Sequence, residues 1–186
     1  MKSKGFTLIE MVTVIVILGI LAVVAAPKFL DTQRDARNAV LKAVAGILMS
    51  SADVTYGKMA IDGLEGYEYV TNQPSSNENS VQASLPFPGC EKNGHSYCVF
   101  RYGYPDADPL TISHIIDGIY DGTKKDYDFV SIYGHDGYED SSFITFKNNV
   151  VGTSEENDKL KEMRCYIKYT PAKALGEHPT ATVVPC

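Results

Sequence analysis

Four cysteines, one glutamate inside an apolar run and two groups of carboxylates are the residues of this 186-residue chain whose types and spacing could do chemistry. Cys90-Glu-Lys-Asn-Gly-His95-Ser-Tyr-Cys98 offers three ligands to a metal. A structural zinc site takes four ligands in paired spacing, and no fourth accompanies these. Oxidation suits them better. An even number of cysteines beyond an export-type segment reads as two disulfides in an oxidising compartment. Cys90, Cys98, Cys165 and Cys186 admit three pairings, and sequence proximity favours Cys90–Cys98 with Cys165–Cys186. Asp106-Ala-Asp108 and Asp136-Gly-Tyr-Glu139-Asp140 group acids as calcium loops do, but lack the spaced Asp/Asn, central Gly and late Glu of such a loop. They read as solvated loop charge. No nucleophile elbow, phosphate loop or zinc-protease helix occurs, and His95, His114, His135 and His178 are scattered singly. These residues point away from an enzyme and imply neither metal nor cofactor. The 12 tyrosines serve as sheet filler and interface residues, or else line a carbohydrate-binding surface.

The glutamate is Glu10. It is the one charge between Phe6 and Ala26, a run of 21 residues. As a helix that run is about 31 Å long, close to the hydrocarbon thickness of a bilayer. Lys2 and Lys4 precede it, which keeps the amino end cytoplasmic and sends the remainder across. Thirteen Leu, Ile, Val and Phe residues favour insertion by roughly 4–8 kcal/mol, against a cost of up to ~3 kcal/mol for one acid. Insertion therefore tolerates Glu10 without explaining it. Either the acid snorkels to the interface, or it meets a cation at the same depth. A conventional secretory signal would be cleaved after the apolar core, yet beyond Ala25-Ala26-Pro27 the chain continues as a helix.

The elements that position these residues divide unevenly. Apolar residues are 44% of the chain, concentrated in Phe6–Ala26, while the rest is polar and rich in Tyr and Gly. The formal charge is −6, and −8 without Lys2 and Lys4. An acidic chain without Lys/Arg clusters excludes a phosphate-backbone grip, and with it nucleic acid as a partner. Gly19 and Pro27 interrupt the apolar helix, which resumes at Lys28 and runs to about Tyr56. Ala36, Val40, Val44, Ile47 and Ser51 recur at spacings of four and three, predicting the face that packs on a sheet. Asn72–Pro88 reads as an exposed loop. Strands are expected at Tyr97–Tyr102, Tyr127–Tyr133, Phe143–Lys147 and Cys165–Thr170, with a short helix within Pro109–Ile119. Pro171, Pro179 and Pro185 disfavour regular structure after that. The fold class is α+β, an antiparallel sheet packed on the second half of a long helix. Such a helix would span roughly 75 Å, more than a single domain needs and what a filament subunit uses.

Lys4-Gly5-Phe6-Thr-Leu-Ile-Glu10 followed by an unbroken apolar run resembles the processing motif of type IV prepilins and pseudopilins. That resemblance implies a leader of residues 1–5, a transmembrane and assembly helix over 6–27, and a globular domain over 28–186 with the ladle shape of the family. It implies that a prepilin peptidase cuts between Gly5 and Phe6 and methylates the new terminal Phe6. Glu10 would then pair with the Phe6 amino group of a neighbouring subunit. It further implies that the helix between Gly19 and Pro27 can lose order in the assembled fibre. Cys165 and Cys186 would bracket a surface loop. The implied partners are further copies of the chain, the peptidase and the pilus assembly machinery of the inner membrane. The implied location is the inner membrane, single-pass with a periplasmic domain, and then an extracellular pilus. Tyr56-Gly-Lys-Met-Ala-Ile-Asp-Gly63 and Cys186 are also similar to the pilins of mannose-sensitive haemagglutinin pili. The rival reading is a pseudopilin of a type II secretion system, whose major subunit usually lacks these cysteine pairs. A membrane-tethered periplasmic enzyme or binding protein would leave Gly5 and Glu10 without a role.

Overall fold

The structure, a computed structural model, describes residues 5–120, 127–135, 137, 140–152 and 158–186. Residues 1–4 of the expected leader, and Asp136 and Glu139 of the second acidic group, lie outside the described residues. Two compact units divide the chain, the first ending at Ala39 and the second comprising Val40–Cys186.

The first unit is helical. Helix α1 (Leu8–Ile61) begins there, and among the described residues its large apolar side chains from Leu8 to Leu30 are exposed. An 18-residue window reaches a mean hydropathy of 2.8 with none of it buried, so by length and composition this helix is able to cross a membrane. α1 continues through Gly19 and Pro27 without interruption in this single subunit. Pro27 deletes one backbone donor, while the turns on either side keep theirs.

In the second unit α1 buries Leu41, Ala45, Leu48, Ala52, Thr55 and Met59, spaced alternately by four and three. This corrects the predicted face by one residue, or about 100° of helix rotation. Val40 and Ile47 are 44% and 54% exposed instead. Both lines are apolar at helical period, so periodicity could not choose between them. The chosen one alternates Leu with Ala, letting the sheet residues seat between its large side chains. Leu41, Ala45 and Leu48 pack with Ile112, Ile144, Ile167 and Tyr169. α1 also runs past Tyr56 to Ile61, ending where Gly63 takes a φ of 67° and Leu64 N–H donates to the Met59 carbonyl.

Two larger sheets follow. Strands β1 (Tyr69–Thr71), β2 (Ser80–Gln82), β3 (Val99–Arg101) and β4 (Tyr104–Pro105) lie in the order β2-β1-β3-β4. Helix α2 (Pro109–Ile115) leads to β5 (Ile119–Tyr120), β6 (Phe129–Tyr133) and β7 (Ser142–Phe146). A small antiparallel pair, β8 (Val150–Val151) and β9 (Lys159–Leu160), comes next. β10 (Tyr166–Thr170) and β11 (Thr180–Val184) complete the second sheet, ordered β11-β10-β7-β6-β5. Most pairs are antiparallel, with β1–β2 and β5–β6 parallel, so the class is α+β with the strands divided between sheets.

Two segments differ from the sequence reading. Asn72–Pro88 is no free loop: it contains β2 and buries Asn72, Leu85 and Phe87. The last segment is no irregular stretch either, because β11 pairs with all five residues of β10. Pro179 and Pro185 sit just outside β11, where a missing N–H costs the ladder nothing, and the β-branched run Thr180–Val184 lies between them.

Candidate assembly and processing site

Gly5 and Phe6 are exposed ahead of α1, Phe6 at 78%. Glu10 stands in the first turn of α1, and its side chain has a local partner. Thr7 donates to Glu10 Oε2 twice, from its backbone N–H and its hydroxyl, each at 2.7 Å. Glu10 N–H returns a longer bond of 3.4 Å to Thr7 Oγ1. Thr-x-x-Glu is a capping box that satisfies donors a helix start leaves open. Reading Glu10 only as an acid in an apolar run misses this, although the spacing of Thr7 and Glu10 carries the signal. Thr13 and Thr32 likewise turn their hydroxyls back onto α1 carbonyls.

The cysteines lie in the second unit. Cys90 is bonded to Cys98 and Cys165 to Cys186, across Cα–Cα distances of 5.7 and 4.2 Å. Cys90 and Cys98 are fully buried with Met59, Val70 and Phe100. The buried Asn72 pins that loop: its amide donates to the carbonyls of Glu91 and Ser96 and accepts from Cys98 N–H. His114, not the exposed His95, approaches the two sulfurs. With both sulfurs in a disulfide, no thiolate remains there to hold a metal. Cys165–Cys186 ties the start of β10 to the end of β11.

The first acidic group is not solvated charge. Asp108 is buried; Oδ2 caps α2 by accepting from Thr111 N–H and its hydroxyl, and Oδ1 accepts from Tyr133. Asp106 faces Arg101, Nε to Oδ1 at 3.2 Å. Burial raises its carboxyl above the ordinary range, and the guanidinium opposes that only in part. Both acids are structural: Arg101 reaches Asp106 from β3 and Tyr133 reaches Asp108 from β6, while the cap to Thr111 is local.

Residues 1–26 match the family described as the prokaryotic N-terminal methylation motif. A major component of the narrow type IV pilus of Thermus thermophilus, PilA5, is 47% identical over 123 residues, which is 61% of this chain and all of that relative. The chain belongs to the type IV pilins. No solved structure matches it. The pilin motif and the exposed apolar start of α1 coincide, and Gly5, Phe6 and Glu10 all fall within the matched residues.

Proposed function

We propose that this pilin is a structural, non-enzymatic subunit that polymerises with copies of itself into an extracellular type IV pilus used for surface attachment. The observation that carries this reading is the apolar, uncovered start of α1 within the methylation motif. A helix of that kind needs a membrane first and neighbouring helices later. Prepilin peptidase cuts between Gly5 and Phe6 and methylates Phe6, and residues 6–27 hold the subunit in the inner membrane until the assembly machinery extracts it. Glu10, besides capping its own helix, pairs with the Phe6 amino group of a neighbour, and the Gly19–Pro27 stretch yields in the fibre. The likeness of Tyr56–Gly63 and Cys186 to mannose-sensitive haemagglutinin pilins belongs to this reading as its narrower form. A secretion pseudopilin is less favoured, because the curated relative is a pilus major component by name.

Intact mass and imaging of sheared filaments test it. Filaments should disappear with the gene, and the subunit should begin at methylated Phe6. Gly5→Val should retain the leader and remain in the membrane, since a side chain obstructs an extended peptide in a narrow cleft. Glu10→Ala should be cleaved yet assemble poorly. A Phe6 terminus in the Gly5 variant, or abundant filaments built from the Glu10 variant alone, would refute those assignments.

A further inference from the structure

In the Val40–Cys186 unit α1 carries a second apolar line, beside the one that packs on the sheet. Val40, Ile47, Val54 and Ile61 recur every seven residues and are 44%, 54%, 60% and 85% exposed. Ala43, Ser50 and Gly57 each follow by three, and all are small and exposed. In heptad notation the first line is a and the second d, with β-branched residues at every a position. That is the seam of a coiled coil, running about 33 Å from Val40 to Ile61.

Two glycines belong to the same face. Gly46 and Gly57 lie inside α1, where glycine is less favourable than alanine. A Cβ at either position would meet nothing within 4 Å among the described residues, so the fold of one chain does not call for them. The close approach of another backbone does.

Charge selects the partner and its direction. Asp53 precedes Val54, Lys58 follows Gly57, and both are exposed on opposite flanks of the seam. Lys58 Nζ stands 5.0 Å from the Phe87 ring centre, and Lys58 lines one cavity with Ser51 and Val54. Five residues apart, the two charges diverge on their own helix. In a parallel, in-register pair the residue before an a position faces the one after the next d position of the other helix. Asp53 then meets the second copy's Lys58, and Lys58 its Asp53. An antiparallel pair sets like flanks together and loses both contacts, and a shift of one heptad loses them too.

We propose that this face holds a second copy of the chain in a parallel, in-register dimer, with Val40, Ile47, Val54 and Ile61 along the seam. The direction rests on the reading of residues 6–27 as a membrane anchor, which points every copy the same way. Confinement to a membrane also raises the effective concentration for so short a seam. An in-register contact is two-fold and closes on itself, whereas a fibre needs a contact that does not close. The dimer is therefore a state of the membrane-held subunit, separate from the filament contacts.

All four native cysteines are in disulfides, so a cysteine added to the seam is the one free thiol. The test places Ile47→Cys, Val54→Cys or, as a control, Lys42→Cys in the full chain. Each variant is held in detergent with micelles in excess over protein, oxidised with copper phenanthroline and read as covalent dimer on a non-reducing gel. Ile47→Cys and Val54→Cys should each cross-link to themselves about tenfold faster than Lys42→Cys, which lies off the seam and out of disulfide reach. Adding Asp53→Lys to Ile47→Cys should slow its cross-linking about tenfold, and adding Lys58→Asp as well should restore it. Leader cleavage and filament yield are read separately, so the anchor reading and the dimer can each fail alone. Equal rates at all three positions, or no cross-link at any, overturn the proposal. Cross-links that form only when Ile47→Cys and Val54→Cys chains are mixed would overturn it in favour of a staggered or antiparallel contact, and a double charge swap that restores nothing would overturn the paired register.

Discussion

Replacing both Cys165 and Cys186 by alanine should destabilise the Val40–Cys186 unit by about 3.3 kcal/mol while leaving β11 paired. The bond closes a sequence separation of 21 residues, and closing a loop of that length restricts the unfolded chain by about that amount at 25 °C. Cys90–Cys98, with a separation of 8, gives about 2.5 kcal/mol from the same source. The native segment has other holds: β11 pairs with five residues of β10, Ala181 and Val183 pack on the α1 core, and Val184 packs beside Phe143 and Tyr166. The loss therefore belongs to the unfolded state, not to a melted strand. Urea unfolding of the full chain in detergent micelles, read by tyrosine near-ultraviolet dichroism, measures the first part. With a slope of about 2 kcal/mol/M, the midpoint should fall by roughly 1.6 M. Hydrogen exchange at the β10 and β11 amides measures the second. A midpoint shift under about 0.5 M would refute the loop-entropy account, and unprotected β11 amides in native conditions would refute the independence of the strand.

Three further outcomes follow from buried groups. Tyr169 is fully buried and donates to the Pro105 carbonyl at 2.7 Å, so Tyr169→Phe should cost roughly 1–3 kcal/mol by leaving that acceptor unpaired, checked by the urea midpoint. Gly103 takes a φ of 80°, and a Cβ there would stand 2.9 Å from the Tyr56 ring, so Gly103→Ala should lose about 1–3 kcal/mol; a midpoint equal to wild type would sink the argument. The raised carboxyl of Asp106 takes up its proton in the folded chain at a pH where the unfolded chain is still ionised. Its contribution to stability therefore grows as pH falls through the raised midpoint towards the ordinary carboxylate value, and Asp106→Asn should flatten that stretch of the stability profile.

Local chemistry made the two ends of the argument readable from sequence. The membrane-length helix follows from an apolar run too long and too uniform to pack in its own domain. The strand sites follow from runs of aromatic and β-branched residues between turn formers, whereas the cap that Asp108 gives α2 went unread. The capping box at Thr7 and Glu10 was equally local, and its spacing was there to be read. Tertiary structure decided what local rules leave degenerate. Two adjacent lines on α1 were apolar at the same period, and only the shape of the sheet chose Leu41, Ala45 and Leu48 over Val40 and Ile47. β11 exists because β10 presents a free edge to the stretch between two prolines, and a strand's hydrogen bonds lie in its partner, not in itself. Asn72 and Asp108 are buried, and Asp106 half-buried, where carbonyls, a tyrosine hydroxyl and a guanidinium from other elements meet them. A polar residue looks solvated in sequence whenever its partners are remote, and burial is the property of a neighbourhood that sequence does not write in one place.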